Sequence, residues 1–227
     1  MSLRPAFRRW APVFAAAFAS SPAQAGPDLF VDAARLVPGL RLDMRYAGSD
    51  NFVGRPIAGY EAPRCLLTPP AARALARAQA ALAPEGLGLR VFDCYRPRRA
   101  VADFAAWARD PTDTRTKAAY YPRIDKSELF RLGYIAEHSA HSRGSTVDLT
   151  LVRLADGAAL DMGTPFDLFD EASATEAPGT GAAPARNRRR LRDAMIRAGF
   201  APYPQEWWHF TLRGEPYPDT AFDLPVR

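Results

Sequence analysis

The chain has 227 residues, enough for one domain with a sizeable core, and its 48% hydrophobic and 24% charged residues are ordinary for a globular protein. Its net charge of +5 includes three arginines and no acid in the first 25 residues, so the remainder carries only +2. The charge gives no reason to expect nucleic acid as a partner, and the basic run at residues 186–192, which lacks interleaved aromatic residues, predicts a solvated helix face.

The N-terminus predicts a cleaved signal peptide over residues 1–25. Arg8 and Arg9 precede a short apolar run, and Ala23-Gln24-Ala25 is a small-x-small cleavage site. The apolar run is too short to span a bilayer permanently, so stable membrane insertion is not expected. The mature domain is therefore predicted at residues 26–227, in the periplasm or outside the cell. A disordered leader that stays in the cytoplasm is the alternative.

The first half of the domain is predicted to alternate strands and helices. In chain order we expect a strand at 40–46, a loop to residue 64, a helix at 71–83, a strand at 87–92 and a helix at 98–109. Thr68, followed by two prolines, is expected to cap the first helix. Val101, Phe104 and Trp107 share one face of the second helix, which predicts that this face is buried.

The second half is predicted to be less regular. In chain order we expect a polar connection at 110–123, a short helical turn at 125–132, a strand at 145–154, a loop at 171–184, a helix at 187–198 and a last strand at 207–212. The loop is mostly Ala, Gly, Thr and Pro, which leaves it little to bury and predicts a mobile surface segment. We find no repeat and no second domain. The order of elements predicts a single α+β domain with a central, mainly antiparallel sheet flanked by helices.

Residues 137–151 contain two of the three histidines and the most informative spacing in the chain. His141 stands seven residues before Asp148. On one helix that spacing would separate them by roughly 10 Å, too far for two ligands of one metal ion. The chain must therefore fold back, and Ser142-Arg143-Gly144 supplies residues that favour a turn. The alternation from Ser145 onward predicts a strand with Asp148 on its polar face.

The third histidine lies in Glu206-Trp207-Trp208-His209-Phe210. A zinc hydrolase needs three protein ligands, an open position and a base close to the attacking water. His141, Asp148 and His209 are the predicted ligands of one zinc ion per chain, and Glu206 is the predicted base. For either histidine alone, a buried residue satisfied by hydrogen bonds would be the better interpretation.

The pattern Ser139-x-His141-x-x-Gly144-x-x-x-Asp148, followed by Glu206-x-x-His209, resembles the zinc signature of the D-alanyl-D-alanine dipeptidases. That family belongs to a wider group of zinc D,D-peptidases that shares its fold with the hedgehog signalling domain. The upstream segments 45–47, 50–54 and 93–97 resemble the same family, and the resemblance extends over about residues 40–212. Thr146 departs from the alanine usual in the wider group, and a threonine fits a strand.

The resemblance implies a zinc enzyme that hydrolyses the small dipeptide D-Ala-D-Ala in peptidoglycan metabolism. Glu206 would move a proton from water to the leaving amine, and Arg96 would stabilise the oxyanion. Pro97 keeps Arg96 out of the helical conformation, which places it between a strand end and a helix N-terminus, where an anion is favoured. A structural salt bridge to Asp93 is the alternative for Arg96.

The resemblance also implies the substrate contacts. Asp167 matches the carboxylate that binds the substrate ammonium, and Ser139 and Tyr46 match positions that line the dipeptide pocket. Taken alone, these residues would pass as a turn aspartate, a turn serine and a core tyrosine. His138 has no counterpart as a ligand and is expected beside the site or on the surface.

Cys65 and Cys94 are the only cysteines. An even pair in a chain with a predicted signal peptide predicts a disulfide, which would tie the start of the first long helix to the strand end beside Arg96. Two free buried thiols are the alternative. Metal binding by this pair is disfavoured, because no second pair or nearby histidine completes a site.

Two other functions remain open from the sequence. One is a zinc D,D-carboxypeptidase or endopeptidase acting on cell-wall peptides, which would lack an acid that closes the ammonium side of the pocket. The other is a zinc-stabilised binding module without turnover, which would need neither Glu206 nor Arg96. The sequence indicates no oligomeric state.

Overall fold

A computed structural model describes residues 29–227, and the predicted signal peptide lies outside them. The main sheet has five strands, in the spatial order Arg41–Leu42 (β2), Leu87–Asp93 (β4), Thr146–Arg153 (β5), His209–Leu212 (β7) and Phe200–Pro202 (β6). β2 runs parallel to β4, and the other neighbouring strands are antiparallel. Val31–Asp32 (β1) and Leu66–Leu67 (β3) form a second, two-stranded sheet. The predicted α+β class with a mainly antiparallel sheet is confirmed.

The helices are Ala33–Leu36 (α1), Pro69–Leu82 (α2), Arg98–Arg109 (α3), Lys117–Tyr120 (α4) and Ala182–Arg197 (α5). α2 and α5 pack against each other, with α2 on β4 and α5 on β5. The buried face of α2 is rich in alanine, which lets the helix lie close to the sheet. Leu75 on α2 and Leu89 on β4 are fully buried, so truncating either to alanine should cost about 2–5 kcal/mol.

The predicted helix at 98–109 matches α3, and its face of Val101, Phe104 and Trp107 is buried as expected. Phe104 packs against Phe52 and Tyr46, with ring centroids 4.7 and 4.9 Å away. This aromatic cluster fixes α3 over the end of the sheet where the polar side chains gather.

The predicted strand at 40–46 is wrong beyond its first residues. Only Arg41–Leu42 is a strand, and Tyr46 lies in a 3₁₀ helix at Arg45–Ala47. The cause is Asn51, whose side-chain amide donates to the carbonyl oxygens of Arg45 and Gly48 at 3.2 and 2.8 Å and so folds the chain back. Tyr46 consequently turns from a strand position into the interior.

Thr68 stands at the start of α2, but its side chain makes no capping hydrogen bond. Its hydroxyl is instead 2.8 Å from that of Ser145, and both residues are fully buried. The expected cap is therefore replaced by a link between the helix start and the chain that enters β5.

The prediction that residues 171–184 form an irregular surface loop with little to bury is wrong in part, and its mobility stays a prediction. The segment contains a 3₁₀ helix at Glu171–Ser173, and α5 begins within its last residues. Ser173 and Thr175 are buried, because Arg188 reaches across from α5 to the carbonyl groups of this segment. The prediction that residues 186–192 form a solvated helix face is wrong for Arg188, which is buried.

Cys65 and Cys94 are joined in a disulfide with an S–S distance of 1.99 Å. It connects the residue before β3 to the residue after β4, and the backbone N–H of Tyr95 donates to the carbonyl of Leu66 beside it. Within residues 29–227, no helix has both the length and the apolar character needed to cross a membrane.

Candidate active site

The sheet register brings the main polar side chains together. Asp148 on β5 lies directly opposite His209 on β7, and Asp93 at the end of β4 lies opposite Asp148 on its other side. Residues directly opposite each other on antiparallel strands point their side chains to the same face. Backbone pairing alone therefore gathers these three side chains at one end of the sheet.

His141 enters from a 3₁₀ helix at Ala140–Arg143, which ends at Gly144 with a φ of 78°. The predicted turn is therefore present, and a Cβ at Gly144 would lie 2.0 Å from the ring of Phe30. The Nδ1 of His141 donates to the carbonyl oxygen of Cys94 at 2.7 Å. Because that nitrogen holds the proton, Nε2 carries a free lone pair, and it lies 3.3 Å from Asp148 Oδ2.

His141, Asp148 and His209 each offer a ligand atom, and these atoms all lie within 4.8 Å of one another. Asp148 Oδ1 is buried, and its nearest polar neighbour is Nδ1 of His209 at 3.1 Å, in a geometry that does not make a regular hydrogen bond. Burial alone would raise the pKa of Asp148, but the two histidines outweigh it and hold the pKa below its usual value. Two imidazoles and an ionised carboxylate whose donor atoms converge in this way fit a divalent metal such as zinc.

Glu206 lies in the turn before β7, with its Oε2 3.5 Å from Nδ1 of His209. Glu206 therefore lies next to the three candidate metal ligands but is not one of them. Burial raises the pKa of Glu206 to about 7, and the charge of Asp148 adds to that effect. A carboxylate with a pKa near neutrality is suited to accept a proton and to release it again.

The sequence left a structural salt bridge to Asp93 as the alternative role for Arg96. The structure contains this salt bridge, with Nη2 of Arg96 2.9 Å from Oδ2 of Asp93. The same Nη2 is 3.7 Å from Asp148 Oδ2, so the guanidinium also borders the donor group. Burial alone would lower the pKa of Arg96, but Asp93, together with Tyr46, Tyr60 and Asp148, outweighs it and raises the pKa. The salt bridge is thus the means by which a positive charge is held at the site.

Asp93 is fully buried, and its carboxylate lies close to two further side chains besides Arg96. Its Oδ1 accepts a hydrogen bond from the Tyr60 hydroxyl at 2.7 Å, and its Oδ2 is 3.5 Å from Nδ1 of His141. Sequence reasoning considered Asp93 only as a partner of Arg96 and missed Tyr60. Asp93 could have been found from the sequence, because it lies in the same segment 93–97 as Arg96. Tyr60 stands in an irregular loop, and no sequence pattern pointed to it.

Asp167 lines the same cavity as Asp148, Glu206 and His209. It is 5% exposed, and its Oδ2 accepts a hydrogen bond from the Tyr46 hydroxyl at 2.8 Å. Its φ is 60°, an uncommon value for a residue with a side chain, so the surroundings must hold it there. Burial raises the pKa of Asp167 well above its usual value, and the charge of Asp148 adds to this. A cation placed beside this carboxylate would be stabilised.

All eight residues predicted for metal, catalysis and substrate line one cavity of about 480 Å³: Tyr46, Arg96, Ser139, His141, Asp148, Asp167, Glu206 and His209. The volume suits a small ligand. His138 is exposed at the rim, and Ser139 accepts a hydrogen bond from the backbone N–H of His141 at 3.3 Å. Sequence reasoning missed Tyr203, an aromatic residue of the cavity wall that packs against His209 with ring centroids 5.6 Å apart.

Residues 28–227 match the family described as D-ala-D-ala dipeptidase. The chain is 48% identical to the D-alanyl-D-alanine dipeptidase of Enterococcus faecium, over 85% of this chain and 95% of that protein. It is 49% identical to the D-alanyl-D-alanine dipeptidase of Streptomyces coelicolor, over 88% and 98% of the two chains. The protein of the same name from Escherichia coli is 36% identical, over 80% and 83%.

Proposed function

The chain belongs to the D-alanyl-D-alanine dipeptidase family, and we propose from this premise that it hydrolyses D-alanyl-D-alanine to two D-alanines with one zinc ion. The observation that carries the proposal is the convergence of three donor atoms within 4.8 Å, next to Glu206, in a cavity that Asp167 also lines. The reaction belongs to peptidoglycan metabolism, because this dipeptide is a cell-wall building block.

His141, Asp148 and His209 would hold the zinc ion. Zinc bound there would supply Lewis acidity for the hydrolysis of the peptide bond. Glu206 takes a proton from the attacking water and later gives it to the leaving amine, and its pKa of about 7 suits both steps. The guanidinium of Arg96, held by Asp93, stabilises the charge that develops on the carbonyl oxygen.

The ends of the dipeptide are recognised by different groups. Asp167, with Tyr46 hydrogen-bonded to it, pairs with the ammonium, whose charge offsets the burial that raises the pKa of this carboxylate. The Ser139 hydroxyl accepts from the His141 backbone and keeps its own proton to donate to the substrate carboxylate. An acylated amine would leave Asp167 buried without its cation, which favours a dipeptidase over a carboxypeptidase.

The decisive experiment is hydrolysis of D-Ala-D-Ala, L-Ala-L-Ala and a pentapeptide ending in D-Ala-D-Ala by purified protein, with and without a chelator. We expect turnover of D-Ala-D-Ala alone, lost with chelator and restored by zinc. Turnover of the pentapeptide without the dipeptide would identify a carboxypeptidase. Stable zinc binding with no turnover would identify a binding module.

We also propose that the protein is exported to the periplasm or beyond the cell. The predicted signal peptide and the Cys65–Cys94 disulfide support this, because such bonds persist in oxidising compartments. N-terminal sequencing of the protein recovered from fractionated cells should find a mature start near Gly26. An intact N-terminus in the cytoplasmic fraction would contradict export.

A further inference from the structure

Arg188 differs from the other arginines of the basic run at 186–192. It is 1% exposed, whereas its neighbours Arg189 and Arg190 are exposed. Burying a guanidinium is costly unless its N–H groups find acceptors, so the position of this side chain demands an explanation.

The partners of Arg188 lie on two separate loops. Its Nε donates to the carbonyl of Met162 at 2.6 Å, and its Nη2 is 3.3 Å from the Thr164 hydroxyl. Its Nη1 donates to the carbonyls of Ala172 and Ala174 at 2.9 and 2.6 Å. These acceptors are neutral oxygens, so the planar fork of Arg188 serves here to bridge two stretches of backbone.

The first loop leads directly to Asp167. Gly163, beside Met162, has a φ of 81°, and a Cβ there would lie 3.1 Å from Pro184 and 3.4 Å from the Arg188 guanidinium. The side chain of Asn187 donates to the carbonyl of Asp161 at 2.8 Å. Helix α5 therefore holds this loop closely just before the residue whose backbone is strained.

The second loop is bound to the segment that carries Glu206. The backbone N–H of Trp207 donates to the carbonyl of Ser173, and that of Thr175 donates to the carbonyl of Pro204, both at 3.0 Å. The indole N–H of Trp207 also donates to the Thr164 hydroxyl at 2.9 Å. The loop before Asp167 and the segment around Glu206 thus meet at the Thr164 hydroxyl, an acceptor that Trp207 and Arg188 share.

We propose that Arg188 is a positioning residue for the dipeptidase reaction, one that sets the placement of Asp167 relative to Glu206 by bridging loops 162–164 and 172–174. The inference rests on the proposed function, because it assigns Arg188 a part in that reaction. Arg188 lies behind the cavity wall and acts by placing Asp167 and Glu206, the two residues that meet the substrate.

The test is Arg188→Lys, with Arg190→Lys as the matched control. Lysine keeps the charge, but its single ammonium cannot span the acceptors of both loops. A misplacement on the order of 1 Å costs about 10²-fold, so kcat/KM for D-Ala-D-Ala should fall by about that factor with the zinc content unchanged. Arg190, which is exposed and pairs with Glu85, should tolerate the change. Wild-type kcat/KM in Arg188→Lys overturns the inference.

A double-mutant cycle separates positioning from general weakening of the fold. If Arg188 acts through Asp167, Arg188→Lys should cost much less in the Asp167→Asn background than in wild type. Equal losses in both backgrounds would overturn the inference. Thr164→Val, which removes the acceptor shared with Trp207 at nearly constant volume, provides a milder variant should Arg188→Lys fail to fold; it should lower kcat/KM in the same direction.

Hydrogen exchange gives a readout that needs no substrate. Peptides covering residues 161–175 and 203–209 should exchange faster in Arg188→Lys, while those from α2 should not change. Unchanged exchange in the two loops overturns the inference. A wild type inactive on every dipeptide overturns the proposed function, whereas an active wild type with an unaffected Arg188→Lys variant overturns this inference alone.

Discussion

Two parts of the cavity are built by different means: the proposed metal end, formed by His141, Asp148 and His209, and the proposed ammonium end, formed by Asp167. At the metal end, Asp148 and His209 face each other across β5 and β7, where backbone pairing sets their positions. At the ammonium end, Asp167 lies outside any strand, with a φ of 60°, in a loop held by side chains from α5. Substitutions at the metal end should therefore change chemistry alone, whereas at the ammonium end they should also change geometry.

The largest effect is expected at the metal end, from His209→Ala. Removing one of three donors should release the zinc ion and lower turnover by more than the roughly 10²–10⁴-fold typical of a lost acid–base group. The fold should persist, because the β5–β7 ladder uses the backbone of His209. Elemental analysis and turnover would be measured together. His138→Ala, at the exposed rim, is the control, and full zinc occupancy in His209→Ala would refute the ligand assignment.

The next effect is expected from Glu206→Gln, which keeps the shape and removes the basicity. Turnover should fall roughly 10²–10⁴-fold with zinc retained and KM little changed, because the loss lies in the transition state. Glu171→Gln, at an exposed position just before the loop at residues 172–174, is the control. If Glu206→Gln lost its zinc, Glu206 would be a ligand. If it kept both zinc and normal turnover, another group would be the base.

The difference between the two ends also explains what the sequence could predict. The metal end depends on local spacing, such as the turn after His141 and the alternation around Asp148, and both are present in the structure. α3 was likewise predictable, because its apolar face follows the helical period. Patterns of this kind show which residues of one helix or strand lie on the same face of that element.

The remaining errors concern polar side chains that bind backbone carbonyl groups, either within their own loop or far along the chain. Asn51 shortened the predicted strand by binding carbonyl groups of its own loop, and Arg188 is buried against loops up to 26 residues away. Carbonyl acceptors leave no signature of residue type, so nothing separates Arg188 from the exposed arginines beside it. The loop at 171–184 was predicted to be mobile from its Ala, Gly, Thr and Pro composition, which does not reveal that Arg188 binds it.

A smaller and more selective effect is expected from Asp167→Asn. Removing one partner of a buried ion pair costs about 3 kcal/mol or more, so KM for D-Ala-D-Ala should rise about 10²-fold. An N-acetylated analogue, if it turns over, should be affected far less. Asp219→Asn, at an exposed position, is the control. Equal losses on both substrates would show that Asp167 is structural.

The pH dependence follows from the same carboxylate. Burial raises the pKa of Asp167, so the ionised form that pairs with an ammonium is present above that pKa and is lost as the pH falls through it. KM of the wild type should therefore rise toward acid pH. Asp167→Asn cannot titrate at this position and should lack that rise. An identical pH profile of KM in the two proteins would contradict the ammonium contact.

The smallest effect on catalysis is expected from replacing both Cys65 and Cys94 with serine, although the disulfide ends beside the metal site. His141 binds the main-chain carbonyl of Cys94, which the substitution retains, and the ladder between β4 and β5 keeps that backbone in place. The change in kcat/KM should therefore stay within several-fold. The bond closes a loop of sequence separation 29, for which the chain-entropy model gives about 3–4 kcal/mol of stability. Urea unfolding should show that loss in the double variant and in reduced wild type, with no further effect of reductant on the variant. A large loss of zinc or turnover would mean that the disulfide, rather than the strand ladder, holds this side of the site.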